Sequence, residues 1–344
     1  MKNYSSAAEI TVGVVGYGGA FNMGRQHLQQ MQAAGMTPVA VSEIDAARLE
    51  VAVEDFPGIE TYSTVDEMLE KSRVDLIVLI TPHNTHAPLA LKCLEAGRHV
   101  ICEKPLAITT EEVDAMILAA KNSDVMLSAY HNRHWDGRIL QAVELIKNQK
   151  LIGDVVRVEC HMGGHKKPGD WWRTSRSISG GILYDWGVHL LEYSLQLIEA
   201  PLTEVSGAAH QGFWAPQTAW KEDANEDEGF VMARFEGGQW LTLTISHLDS
   251  KPKEGWVEIT GTGGTLVLDG GHSKLYQHAE GRYTVTQLPN PQDEGQRYYD
   301  NVRDHLVDGA PLIISAEWAR RPIHILDLAR QSAQSGHALP AIYH

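Results

Sequence analysis

ITVGVVGYGGAFNMG, residues 10–24, reads as a strand, a glycine-rich turn and the start of a helix. Residues 10–16 are β-branched and almost continuously apolar, the pattern of a parallel strand buried on both faces. Gly16, Gly18 and Gly19 follow, then Phe21, Asn22 and Gly24, and then a stretch that sets Leu28 and Met31 on one helical face before Gly35. Such a turn binds anions. Glycine removes Cβ where a pyrophosphate must approach the backbone, and the helix start offers unpaired N–H groups and the positive end of its dipole. The usual GxGxxG spacing needs a glycine at position 21, where this chain has Phe21. Gly24 arrives three residues later, so the turn is expected to carry a three-residue extension, with Asn22 as N-cap and Gly24 packing the helix closely on the strand.

Working outward, residues 38–42 (PVAVS) form a second short strand that ends at Glu43. A carboxylate there accepts hydrogen bonds from both adenosine ribose hydroxyls and repels a 2′-phosphate, which favours NAD, while Arg48 leaves NADP open. The alternation continues with strand 76–80, helix 88–95, strand 99–102, helix 110–122 and strand 125–129. The alternation predicts an α/β, doubly wound parallel sheet. Ligands of such sheets sit at the carboxyl ends of the strands, here 16–24, 42–43, 81–86 and 103–105. Thr81, Pro82, His83, Asn84 and His86 are therefore expected on the cofactor side, together with Glu103 and Lys104.

The remaining composition narrows the partners. At 344 residues the chain has room for two domains, and 43% apolar with 21% charged residues makes it globular. Forty-four acidic against 29 basic residues, with no basic stripe, exclude a nucleic-acid partner. No apolar run approaches the length of a membrane span, and residues 1–9 do not read as an export leader. Cys93, Cys102 and Cys160 are odd in number and widely spaced, which points to reduced thiols in a cytoplasmic setting. The pairs His83/His86 and His131/His134 are too sparse for a metal centre, and no metal is expected.

Past residue 129 the pattern changes. Strands are expected at 155–161, 205–209, 229–235, 240–247, 256–260 and 265–269, with hairpin turns at 236–238 and 261–264. The expected division is 1–129 for dinucleotide binding and 130–344 for a second domain built on one run of strands rather than βαβ units. Asp185 and His189 are four apart, one turn from each other if 183–197 is helical, so the carboxylate can orient the imidazole. A histidine, with a pKa near ~6.5, suits the transfer of a hydroxyl proton. Trp171, Trp172 and Arg173 suit a polyhydroxylated ring, which stacks its C–H face and hydrogen-bonds through its hydroxyls. His161, His165 and Tyr184 are further pocket positions.

In order along the chain stand GRQH at 24–27, TPHNTH at 81–86, AGRHV at 96–100, EKPLA at 103–107, Asn132 and Arg133, LIGDV at 151–155 and GGILYDWGVH at 180–189. This combination resembles the glucose-fructose oxidoreductase and inositol dehydrogenase family, Gfo/Idh/MocA. The resemblance implies an N-terminal Rossmann domain with a doubly wound parallel sheet, and a C-terminal α/β domain whose large, open, mostly antiparallel sheet floors the substrate site and joins subunits into a homodimer or homotetramer, its last helix packing back on the first domain. It also implies that Lys104 donates to the reacting substrate oxygen, that Glu103 positions its neighbours, and that His189 is the acid/base group with Asp185 as partner or substrate ligand. Arg133 is expected in the same substrate site. The implied reaction moves a hydride between nicotinamide and a carbinol carbon of a sugar, inositol or related polyol. Two alternatives stand beside it: a glycoside hydrolase or lyase that retains NAD for transient oxidation, and a non-catalytic dinucleotide sensor.

Overall fold

The structure is a computed structural model describing residues 4–342. Six strands form the first sheet: β1 (Thr11–Val15), β2 (Thr37–Ser42), β3 (Glu60–Tyr62), β4 (Leu76–Leu79), β5 (His99–Cys102) and β6 (Leu127–Ala129). Their order is β3-β2-β1-β4-β5-β6 and every pairing is parallel. β4, β5 and β6 are buried along their whole length, as continuous apolar runs in a sheet covered on both faces must be. The chain steps outward from β1 to β3, then restarts at β4 on the other side of β1. That reversal leaves a crevice at the carboxyl ends of β1 and β4, the switch point where such sheets bind ligands. Helix Met23–Ala33 follows β1 and buries Gly24, His27, Leu28 and Met31. Helix Thr110–Asn122 starts at a reciprocal cap between Thr109 and Glu112.

By contacts the chain divides into two compact units, and the first is not contiguous. It runs to Asn132 and regains Gln296–Arg320, so helix Arg297–Asp308 belongs with the first sheet although it lies far beyond the 129/130 division read from the sequence. Tyr298 and Tyr299 on that helix are buried; the Tyr298 hydroxyl is 2.7 Å from Ser128 Oγ, at β6.

The second unit holds β7 (Val155–Gly163), β8 (Leu202–His210), β9 (Glu228–Phe235), β10 (Trp240–Ser246), β11 (Val257–Gly261), β12 (Gly264–Leu268), β13 (His272–Ala279), β14 (Arg282–Pro289) and β15 (Leu339–Pro340). The order is β14-β13-β12-β11-β7-β10-β9-β8-β15, antiparallel except where β10 runs parallel to β7. Period-two alternation separates the faces. Val158, Cys160, Leu241, Leu243, Val257 and Ile259 are buried, and Cys160 Sγ lies 3.2 Å from Ser194 Oγ of helix Leu183–Leu195. Arg157, Glu159 and Glu258 alternate with them and pair among themselves, with Arg157 Nε 2.7 Å from Glu159. Gly187 lets the helix approach: an added Cβ would lie 3.0 Å from Leu243. Among the described residues no helix is long and apolar enough to cross a membrane.

Candidate active site

In the first unit the glycine turn leaves β1 beside β4. Gly16 has φ +101°, and a Cβ there would stand 2.6 Å from the Ile80 carbonyl oxygen, so no other residue fits. A Cβ on Gly24 would meet the Gly16 carbonyl at 2.8 Å and the Tyr17 ring at 2.6 Å, which is the close helix packing expected of it. Gly18 is different: nothing lies within 4 Å of its Cβ position. Open space over a glycine backbone at a switch point fits an approaching pyrophosphate. Asn22 corrects the sequence reading. It stands just before helix Met23–Ala33 but in the left-handed region, φ +51°, and its side chain makes no cap bond. Its amide oxygen instead receives Arg48 Nη2 at 3.4 Å, and Arg48 Nε donates to the Tyr17 carbonyl at 2.9 Å. Gly19 lies beneath the same guanidinium, while Phe21 is exposed. Glu43 sits at the end of β2; one carboxylate oxygen accepts the Tyr17 N–H at 2.6 Å and the other the Asp45 N–H at 3.1 Å.

Two further loops follow β4 and β5. Thr81 and Pro82 lead into the short 3₁₀ turn His83–Thr85, where His83 is buried and Asn84 is exposed. His86 is fully buried, with Nδ1 2.8 Å from the Pro105 carbonyl and Nε2 2.9 Å from the Thr81 carbonyl. It therefore sits between the two loops inside the core with a carbonyl oxygen facing each ring nitrogen, a different place from the direct cofactor contact expected of it. Lys104 is half-buried, and its N–H donates to Glu103 Oε2 at 3.0 Å. Burial pushes the Glu103 carboxyl upward, but the His27 hydrogen bond and the adjoining Lys104 outweigh it and hold the group below the usual carboxylate range.

In the second unit Asp185 lies in the first turn of helix Leu183–Leu195 and His189 one turn on, buried. The His189 ring is 5.6 Å from Trp186 and stacks on Tyr193 at 6.5 Å between centroids. Arg133 lies over Trp186 at 5.0 Å and donates to Asp136 at 3.1 Å; Tyr193 Oη donates to the same carboxylate oxygen at 2.9 Å. Burial raises the Asp136 pKa against the pull of Arg133 and Tyr193. Arg133 and His189 thus join one cluster. Sequence reasoning missed Asp136, Trp186 and Tyr193, although Asp185, His189 and Tyr193 follow an i, i+4, i+8 spacing that marks a single helix face. A second cluster sets the Arg173 guanidinium against two neighbouring indoles, 5.2 Å from Trp171 and 4.6 Å from Trp172. His161 Nε2 faces Asp249 at 2.7 Å, His165 lies beside Trp214, and Tyr184 is buried. Among the described residues no group of three or more His, Cys, Asp or Glu is arranged to hold a metal ion.

Residues 10–131 match the family described as "Oxidoreductase family, NAD-binding Rossmann fold", and residues 139–267 match the "GFO/IDH/MocA C-terminal domain". The chain belongs to the Gfo/Idh/MocA family. Its members are NAD(P)-dependent oxidoreductases, and so is this chain. Among the Gfo/Idh/MocA relatives, scyllo-inositol 2-dehydrogenase (NADP(+)) of Bacillus subtilis is 24% identical over 351 residues, 97% of this chain and 96% of that one. An uncharacterized oxidoreductase of Schizosaccharomyces pombe is 36% identical over 148 residues, and that match covers only 42% of this chain and 40% of the relative's length. An NAD-binding protein from Listeria innocua has the same fold, with a TM-score of 0.83, 26% identity and 97% of each chain covered. Levoglucosan dehydrogenase, solved with NADH and levoglucosan, shares the fold at TM-score 0.81 and 20% identity, over 96% of this chain and 99% of that one.

Proposed function

We propose that this oxidoreductase transfers hydride between a nicotinamide dinucleotide, NAD in preference to NADP, and a carbinol of a sugar, inositol or related polyol. One observation carries the reading: the glycine turn, the Thr81–His86 loop and the Lys104 turn all leave the same end of three adjacent parallel strands, β1, β4 and β5. The dinucleotide supplies C4 of nicotinamide as the hydride acceptor. The chain supplies proton and charge management. Lys104 donates to the carbinol oxygen and stabilises its developing negative charge. His189 accepts the hydroxyl proton and Asp185, one turn earlier, orients it. Arg133 on Trp186, and Arg173 against Trp171 and Trp172, offer aromatic faces and fixed donors suited to a hydroxylated ring.

Glu43 supports NAD, since a 2′-phosphate would meet its carboxylate, and Arg48 is engaged with the turn itself through Tyr17 and Asn22. The NADP(+) in the name of the Bacillus relative makes both dinucleotides necessary in the assay. Scyllo-inositol, myo-inositol and levoglucosan, each with NAD and with NADP, form the panel, read as reduced-nicotinamide absorbance. Turnover that falls ~10²–10³-fold in Lys104→Ala supports the scheme. Turnover unaffected by that substitution, or none with any member of a broad polyol panel, refutes it. A homodimer or homotetramer joined through the β7–β15 sheet is proposed alongside and is tested by light scattering.

A further inference from the structure

The hydride-transfer scheme has no use for His27 or Tyr299, yet both are completely buried and wired to the turn that carries Lys104. His27 Nδ1 lies 2.5 Å from the Tyr299 hydroxyl, and His27 Nε2 lies 3.1 Å from Glu103 Oε1. The other Glu103 oxygen accepts the Lys104 N–H at 3.0 Å. The proton positions follow from the chemistry of the ends. Glu103, held below the usual carboxylate range, is an anion and can only accept, so Nε2 carries the imidazole hydrogen. On the other side of the ring the Tyr299 hydroxyl, whose pKa burial pushes far up, keeps its proton and hydrogen-bonds with Nδ1. A hydrogen-bonded chain joins Tyr299, His27 and Glu103, and the Lys104 N–H closes it from the far side.

The turn needs side chains to hold it. Pro105 has no N–H, so the residue after Lys104 cannot anchor the backbone by donating. Its carbonyl faces His86 Nδ1 at 2.8 Å, and the residue before Lys104 is tied by His27. The ring of His27 is itself set on edge against Tyr130, 4.3 Å between centroids, which fixes the direction of its Nε2. We propose that His27 is a positioning residue for Lys104: through the Glu103 carboxylate it fixes the turn from which the ammonium reaches substrate. This rests on the role given to Lys104 above.

The test compares His27→Gln with His27→Asn. A glutamine amide reaches about as far as Nε2 and still donates to Glu103, whereas an asparagine amide stops near Nδ1 and does not. In His27→Asn the Lys104 amide should exchange its hydrogen ~10-fold faster, as expected for one lost hydrogen bond, with Val78 and Ile101 amides unchanged. With scyllo-inositol, or whichever panel polyol is turned over, kcat should fall ~10–100-fold while NADH binding by fluorescence stays within ~3-fold. His27→Gln should recover most of both losses. Lys104 exchange unchanged in His27→Asn, or kcat and NADH affinity falling together with no rescue by glutamine, overturns the inference. If His27→Asn does not fold, Tyr299→Phe replaces it: Lys104 exchange should rise ~3-fold, and unchanged exchange is equally fatal. The two failures separate, because full turnover in Lys104→Ala sinks the functional reading, while amide exchange decides without any substrate whether His27 holds the turn.

Discussion

A methyl group added at Gly18 tests the proposed cofactor site without disturbing the protein that forms it. The Gly18 Cβ position has no neighbour within 4 Å, and its φ is not in the left-handed region, so Gly18→Ala should change unfolding free energy by less than ~0.5 kcal/mol. If a pyrophosphate passes over this turn, the methyl occupies its path. Overpacking of that kind costs ~1–3 kcal/mol, which weakens NADH ~5–150-fold. The two effects are read in one experiment, thermal melting with and without NADH. At a ligand concentration of ~100 Kd the wild type gains ~2.7 kcal/mol, and a tenfold weaker Kd removes about half of it. For a unit of this size ~1 kcal/mol is ~2–4 °C, so the NADH-induced rise in Tm should shrink by several degrees while the ligand-free Tm stays put. Gly24→Ala is the mirror case. Its Cβ would lie 2.8 Å from the Gly16 carbonyl, so it should destabilise the ligand-free protein by ~1–3 kcal/mol. Wild-type NADH affinity in Gly18→Ala would mean that no phosphate approaches this turn, and the switch-point argument would fail with it.

Two other outcomes follow from buried groups. Glu103 has a lowered pKa in the folded chain, so the unfolded chain binds its proton first as pH falls; the stability it contributes is complete above the unfolded value, near ~4.3, and is lost below it through the folded value. Urea melts of the wild type should therefore steepen in pH dependence below about pH 4.3 relative to Glu103→Gln, and identical slopes would contradict the Glu103 assignment. Cys93, Cys102 and Cys160 are buried, and burial pushes the Cys93 and Cys160 thiols up to about 12. Labelling by a disulfide reagent at neutral pH should thus proceed only as fast as the protein opens, slowing with added NADH; a rapid stoichiometric thiol in the native protein would contradict the burial.

What could be read along the chain depended on how local its physical cause was. β1, β4 and β5 are short runs buried on both faces, so their own residues announce them, and the loops that follow inherit their place from strand order alone. The Asp185–His189 face is likewise a matter of helical spacing. β3 has two exposed residues out of three, and β14 is exposed at all but one position, so neither has an apolar face to alternate with a polar one. The helix Arg297–Asp308 reads as amphipathic, but nothing in it says that Tyr298 and Tyr299 belong with β6 and His27, residues more than 150 positions earlier. That non-local return also hid the function of a residue standing in plain view. His27 is visible in the sequence as the last residue of a GRQH run, one helical turn into Met23–Ala33, where a core histidine is the ordinary expectation. The Glu103 anion places a donor at Nε2, and only when the chain comes back and sets Tyr299 against Nδ1 is the ring that carries this donor held from its other side. The order of the Lys104 turn is therefore written in two parts of the chain, and either part alone leaves it undetermined.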